Sequence, residues 1–240
     1  ESSANLQPIS GPGLTGMSNL GNSCYLNSVM QVVFTIPDFI QRFVSKADEI
    51  FDGSLADPVN DFNVQMAKLG AGLWSGKYSS IGQDSLDTGS TGIKPTMFKN
   101  LIGKNHPDFS TKQQQDAQEF MLHLFTVIER NSRGQLNPTD AFKFQMEDRV
   151  ECTASKKVKY SYRDEWILPV PIPLELASNL DEVRKYEEEK LATESEGRRM
   201  PEDSVVRPKL SLKSCLERFA APETVEQFYS SAINDKTIAN

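Results

Sequence analysis

Histidine and cysteine are scarce in this sequence, with two and three among 240 residues. Cys24, Cys152 and Cys215 stand far apart and odd in number, so no CxxC pair exists and a secreted disulfide framework is excluded. A reducing compartment fits better, the cytoplasm first and the nucleus after it. No apolar run approaches the roughly 20 residues that span a bilayer. The formal net charge of -7 argues against nucleic acid and anionic membrane surfaces, and suits a basic partner.

The opening ESSANLQPISGPG has no initiator methionine, basic n-region or apolar h-region. Residues 1-13 are expected to be a flexible linker cut from a longer chain, too polar and too rich in Pro and Gly to order itself. The rest, with 38% apolar residues overall, suffices for one large domain or two small ones.

What is present is helical first. Tyr25, Leu26, Val29, Met30, Val33 and Phe34 recur at three and four, a broad buried helix face that must end before Pro37. A second helix is expected from Pro37 to Val44, and a third through DFNVQMAKLGAGLW, where Phe62, Met66, Leu69 and Leu73 share a face despite the weakening Gly70 and Gly72. SSIGQDSLDTGSTG is a loop by composition, and PTMFKNLIG a short helix started by Pro95 and stopped by Gly103. STKQQQDAQEFMLHLFTVIERN carries the strongest helical stripe, with a capping box expected at Ser110 or Thr111. Asp116, Glu119 and His123 fall together on its polar side.

Strands are expected next. Alternation at Val158, Tyr160 and Tyr162, with the pairs Phe142/Phe144 and Val150/Cys152, predicts a meander closed by the prolines 169, 171 and 173. Residues 181-204 read as a solvated charged helix followed by disorder. A last helix in SLKSCLERFAAPE should turn Leu212, Cys215, Leu216 and Phe219 inward. Helices followed by strands define an α+β fold.

The chemistry concentrates in NLGNSCYLNSVMQ, where a cysteine stands at the start of an apolar helix. A helix N-terminus favours the thiolate, the form that acts as nucleophile. Gly21 permits close backbone approach, and Asn19 and Asn22 offer amide donors to a developing oxyanion. A buried cysteine behind an ordinary Asn/Gly turn fits the same local features.

GLTGMSNLGNSCYLNSVMQ, residues 13-31, resembles the cysteine box of the ubiquitin-specific proteases, and QQDAQEF, residues 114-120, resembles their second box. The resemblance implies a papain-like α+β fold. Its helical thumb would span residues 14-133, and residues 134-240 would form strand-rich fingers and the start of a palm that is largely missing. It implies hydrolysis of the bond after ubiquitin's C-terminal glycine, in a branch acting on unanchored polyubiquitin. Cys24 would be the nucleophile, Asn19 an oxyanion donor and Asn22 a helper, with Asp116 and Glu119 meeting ubiquitin's basic tail. Ubiquitin or polyubiquitin is the implied partner, with neither nucleic acid nor membrane.

Three departures stand beside that resemblance. His106 and His123 lie in no motif like the family's catalytic histidine, and no histidine follows Glu151, so the general base is expected from a segment not present here. VECTAS and FYSSAI stand where many relatives carry two CxxC pairs, so no metal or other cofactor is expected. No counterpart to the inserted ubiquitin-binding modules of that branch, or to its N-terminal zinc-binding domain, is visible. A non-catalytic ubiquitin-binding or scaffold protein is the competing reading.

Overall fold

The helix that Cys24 opens, α1 (Cys24–Val33), buries Tyr25, Leu26, Val29, Met30 and Val33, the face expected from their spacing. The structure is a computed structural model that describes residues 9-54, 57-79, 92-201 and 204-240. Most of the expected linker and nearly all of the SSIGQDSLDTGSTG loop lie outside the described residues. The chain forms two units, one ending at Lys143 and the other starting at Phe144.

In the first unit, α2 (Pro37–Ile40) runs directly into a π-helical turn, Gln41–Ser45, whose Arg42 and Phe43 point inward. A short α3 (Ala47–Asp52) follows, which the sequence reading missed because ADEIFD offers no stripe to read. α4 (Phe62–Trp74) starts where Asp61 accepts a hydrogen bond from Val64 N–H at 3.1 Å. Its Gly70 is a packing residue and not merely a weak spot, because a Cβ there would sit 2.7 Å from the Phe34 ring. α5 (Thr96–Ile102) ends at Gly103, where a Cβ would meet Phe109 O at 2.3 Å.

α6 (Ala117–Asn131) starts later than the expected capping box. Asp116 is its cap, accepting from Glu119 N–H at 2.9 Å, whereas Ser110 and Thr111 belong to the loop before it. That loop is pinned by Lys99, a largely buried cation whose Nζ donates to Thr111 O at 2.8 Å. The core of the unit joins Leu26, Met30, Phe39, Phe43, Met66, Phe120, Leu124 and Ile128, each fully buried. Burying such a side chain stabilises by about 1.5–3 kcal/mol. Phe142, expected in a strand, lies in a 3₁₀ turn (Pro138–Phe142) and packs its ring 5.0 Å from Phe125 and 6.2 Å from Phe39. Aromatic contact with the first core outweighs the two-residue alternation with Phe144.

The second unit is built on antiparallel hairpins. β1 (Phe144–Glu151) pairs with β2 (Val158–Glu165), in a register that opposes Tyr160 to Arg149 and Tyr162 to Glu147. β3 (Val225–Ser230) pairs with β4 (Asp235–Ala239) in a hairpin the sequence reading did not foresee. Between the hairpins lie α7 (Leu180–Ser195) and α8 (Leu212–Phe219). α7 is the expected solvated helix, with only Val183 buried, and it stops where Gly197 takes φ +75° while Gly197 and Arg198 N–H bond back to Glu194 and Thr193. The stretch expected to be disordered begins as that hydrogen-bonded turn; residues 202-203 lie outside the described residues.

α8 corrects another expectation. Cys215 is buried, but Leu212 and Leu216 are 68% and 40% exposed. Two hairpins, joined where Glu151–Thr153 pair with Ile238–Asn240, and two helices give too few layers to cover every apolar stripe. With a helical first unit and a second unit of hairpins separated by two helices, the fold class is α+β as expected. Among the described residues no helix is long and apolar enough to cross a membrane.

Candidate active site

Two polar side chains on the flank of α1 hold the chain that leads into Cys24. Asn27 Nδ2 donates to the carbonyls of Met17 and Ser18 at 3.2 and 3.3 Å, and Gln31 Nε2 donates to Thr15 O at 3.1 Å. The same lead-in pairs with Ile93, whose carbonyl accepts from Ser18 N–H at 2.9 Å and whose N–H donates to Gly16 O at 3.0 Å. Gly92, at φ +111°, makes this pairing possible, since a Cβ would lie 2.5 Å from Gly16 O. None of these positioning residues was singled out from sequence. The available signal was Asn27 and Gln31, one helical turn apart on a largely apolar helix.

Residues 19-23 then fold into a tight turn. Asn19 Oδ1 accepts from the N–H groups of Gly21 and Ser23, each at 3.0 Å, and from the Ser23 hydroxyl at 3.2 Å. Ser23 Oγ in turn accepts from Leu20 N–H at 2.8 Å, and Ser23 is completely buried. Fixed by its oxygen, the Asn19 amide keeps its two N–H donors for another acceptor, and they make no hydrogen bond among the described residues. Gly21 and Asn22 both adopt left-handed φ, +85° and +54°. The space over Gly21 is open, so it serves the turn through its φ and meets no neighbouring backbone within the chain.

Asn22 has a different task from the one expected. Its Nδ2 donates to Lys112 O at 3.2 Å, tying the cysteine loop to the loop before α6. Cys24 itself is exposed at the first position of α1, and Ser23 gives the helix no side-chain cap. The neighbouring Tyr25 is buried, and its hydroxyl has no hydrogen-bond partner among the described residues. Burial, and then the charge of Cys24, push its pKa up.

Aromatic packing brings α6 to the same place. The rings of Tyr25, Phe109 and Phe120 form a triangle with centroids 5.3, 5.4 and 5.9 Å apart. Because Phe120 lies one turn into α6, the N-terminal ends of α1 and α6 meet, and exposed Asp116 and Glu119 stand at the end of the unit that holds Cys24. One Asp116 oxygen is engaged in capping; Glu119 contributes only its backbone N–H to that cap.

Both histidines are committed elsewhere. His106 Nδ1 accepts from the N–H groups of Asp108 and Phe109 at 3.2 and 3.3 Å, and its ring stacks on Phe109 at 4.2 Å. His123, expected on a polar surface, is instead half-buried, with Nε2 bonded to Ile102 O at 2.8 Å and its ring edge-on to His106 at 4.6 Å. A carbonyl only accepts, so Nε2 carries the proton. Desolvation lowers the His123 pKa against the opposing pull of the Ile102 bond, with further lowering from His106 and Arg130. The pair braces α5 against α6.

Cys152 and Cys215 are buried. Hydrogen bonds from the Ser155 and Ser230 hydroxyls, and from Ser155 N–H at 3.4 Å, lower the Cys152 pKa to about 7. Among the described residues no three His, Cys, Asp or Glu side chains are placed to share a metal.

The family profile described as Ubiquitin carboxyl-terminal hydrolase matches residues 15–228. Ubiquitin carboxyl-terminal hydrolase 5 of Homo sapiens is 48% identical over 247 residues, covering 100% of this chain and 29% of the relative. Ubiquitin carboxyl-terminal hydrolase 13 of Mus musculus is 44% identical, covering 99% of this chain and 29% of the relative. This chain therefore spans 29% of the length of these curated relatives. Among solved structures, a chain of the SAGA Ubp8/Sgf11/Sus1/Sgf73 DUB module bound to ubiquitin aldehyde aligns at a TM-score of 0.60 and 17% identity, covering 98% of this chain and 46% of that one. That likeness concerns the fold. With the profile spanning most of both units and the cysteine turn formed at the head of α1, the chain belongs to the ubiquitin carboxyl-terminal hydrolase family.

Proposed function

We propose that this chain carries the nucleophile and the oxyanion donors of a thiol-dependent deubiquitinase, which hydrolyses the peptide or isopeptide bond after ubiquitin's C-terminal glycine. The observation that carries the reading is the exposed Cys24 at the N-terminus of α1, behind a turn that leaves the Asn19 amide N–H groups available. The Cys24 thiolate attacks the glycine carbonyl carbon, and the resulting oxyanion meets Asn19 N–H and the backbone N–H of Cys24. The carbon–nitrogen bond then breaks and the amine leaves with a proton. Water cleaves the thioester, releasing ubiquitin as its carboxylate and returning Cys24.

Neither His106 nor His123 is assigned as the general base: the His106 Nδ1 lone pair is taken by two backbone N–H groups, and the His123 ring, donating through Nε2–H to Ile102 O, packs against the rings of His106 and Phe109. In this reading the first unit is the thumb, and the second supplies fingers and the start of a palm. Asp116 and Glu119 meet the basic tail of ubiquitin. Stretches such as GKNHPDFSTKQQQDAQEF and AAPETVEQFYSSAI resemble isopeptidase T, which supports unanchored polyubiquitin as the substrate, and the sparse, unpaired cysteines support the cytoplasm, with the nucleus after it, as the compartment.

The second reading, ubiquitin binding without catalysis, is favoured by the engagement of both histidines. A fluorogenic amide of ubiquitin's C-terminus, offered to the whole protein, separates the two. Hydrolysis is expected, abolished by Cys24→Ala and slowed about 10²–10³-fold in kcat by Asn19→Ala. Asp116→Asn keeps the cap and removes the charge, so it should raise KM and spare kcat. Turnover that survives Cys24→Ala would sink the catalytic assignment, and tight ubiquitin binding with no turnover would favour the second reading.

A further inference from the structure

A separate groove of about 420 Å³ lies between α4 and α5, and no residue of the cysteine turn lines it. Its floor is apolar, with Leu69 and Phe98 buried beneath it. Gly72 keeps the floor open, since a Cβ there would come within 3.2 Å of Ile93. Around the mouth, Phe51, Tyr78 and Met97 remain 38%, 50% and 39% exposed. Among the described residues the charged part of the rim has one sign: Lys68, Lys77 and Lys94 line it and no Asp or Glu does, although the chain holds 33 acidic residues against 26 basic ones.

The three lysines are exposed and enter no ion pair among the described residues. Lys68 rests its Nζ on the Met97 sulfur at 3.3 Å, and Lys77 sits over the Tyr78 ring at 5.8 Å. Their stems thus extend the apolar surface while their charges stay at the rim. An apolar trough with uncompensated positive charge at its edge, on a chain that is otherwise acidic, selects an occupant that is apolar along one line and acidic beside it.

We propose that the groove between α4 and α5 docks an acidic amphipathic segment of a partner protein, its apolar side chains over Leu69 and Phe98 and its carboxylates at Lys68, Lys77 and Lys94. The surface is distinct from the one proposed for ubiquitin's tail, where the chain offers acidic groups to a basic ligand. Two copies of this chain, each of net charge -7, repel one another as wholes, which favours such a segment of a separate partner.

The test uses the full chain and a fluorescein-labelled helical peptide of about four turns, bearing Leu and Phe at i and i+4 with glutamates beside them, read by fluorescence anisotropy. A control peptide replaces each glutamate with lysine. Saturable binding of the acidic peptide is expected, weakened about tenfold or more by the double variant Lys68→Glu/Lys94→Glu, with weaker binding at high salt. The substituted lysines are exposed, and an unchanged unfolding midpoint would show that the variant folds. Absent saturable binding, equal affinity for the lysine peptide, or an affinity untouched by the double variant would each overturn the proposal. So would concentration-dependent dimers by light scattering that the same double variant dissolves, because they would assign the groove to a second copy.

Discussion

Among the described residues, all but five of the buried apolar side chains belong to the unit that ends at Lys143. The five in the other unit, Cys152, Ala177, Val183, Cys215 and Ala239, are small or short. The first unit packs aromatic ring on aromatic ring, whereas the second holds together mainly through strand ladders and turns, leaving Tyr160, Tyr162, Val225 and Tyr229 exposed. The contrast teaches where positional precision comes from. A nucleophile must be held within about half an ångström, and Cys24, proposed for that role, stands on the unit whose core can hold it. Exposed hairpins of the second unit offer surface area and adaptable contacts.

Removing a central ring should break the comparison most visibly. Phe120→Ala opens a cavity between Tyr25 and Phe109 and is expected to cost about 3–5 kcal/mol in urea unfolding, whereas Tyr160→Ala on exposed β2 should stay within about 0.5 kcal/mol. Similar losses at the two positions would show that the division is wrong. Overpacking the first unit comes next. In Gly103→Ala the new methyl meets the Phe109 carbonyl, so a loss of about 1–3 kcal/mol is expected, and an unchanged midpoint would mean that the loop after α5 yields freely.

The same contrast explains what could be read from sequence. α1, α4 and α6 were legible because their apolar stripes answer to a thick core, and the cysteine turn because Asn, Gly and Cys occur there in a distinctive order. The cap of α6 was misplaced because three consecutive glutamines look helical, while Lys99, Thr111 and His106 shape that stretch as a loop through contacts distant in sequence or visible only in three dimensions. Phe142 and the outward leucines of α8 were misread because alternation and periodicity do not reveal which layers exist to cover a face. β3 and β4 were missed because their polar residues give little alternation, and Gln227, at φ +58°, marks a break in their register.

A smaller, pH-dependent effect should belong to the first unit. Burial depresses the pKa of His123 below its ordinary value near 6.5, so the unfolded chain binds its proton first as pH falls. The contribution is therefore fully present above about pH 6.5 and is lost as pH drops toward the lower native value. Urea unfolding between pH 7.5 and 5.5 should show a steeper decline for the wild type than for His123→Gln, whose amide can still donate to Ile102 O. Equal slopes would show that His123 is not protonated on unfolding in that range.

The two units also hold thiols of opposite kinds: exposed Cys24, and Cys152 with a pKa of about 7 but buried. Iodoacetamide labelling near pH 7 with peptide mapping should modify Cys24 first, because burial denies the reagent access whatever the thiolate fraction. Faster modification of Cys152 would reverse the ranking.

The most direct test of Cys24 as the nucleophile uses ubiquitin carrying a thiol-reactive electrophile at its C-terminus, incubated with the whole protein and digested for mass mapping. One covalent adduct is expected, on Cys24, absent in Cys24→Ala and diminished by Glu119→Arg, which reverses charge beside the entry to α6. An adduct on Cys152 or Cys215, or one that persists in Cys24→Ala, would contradict the assignment of Cys24.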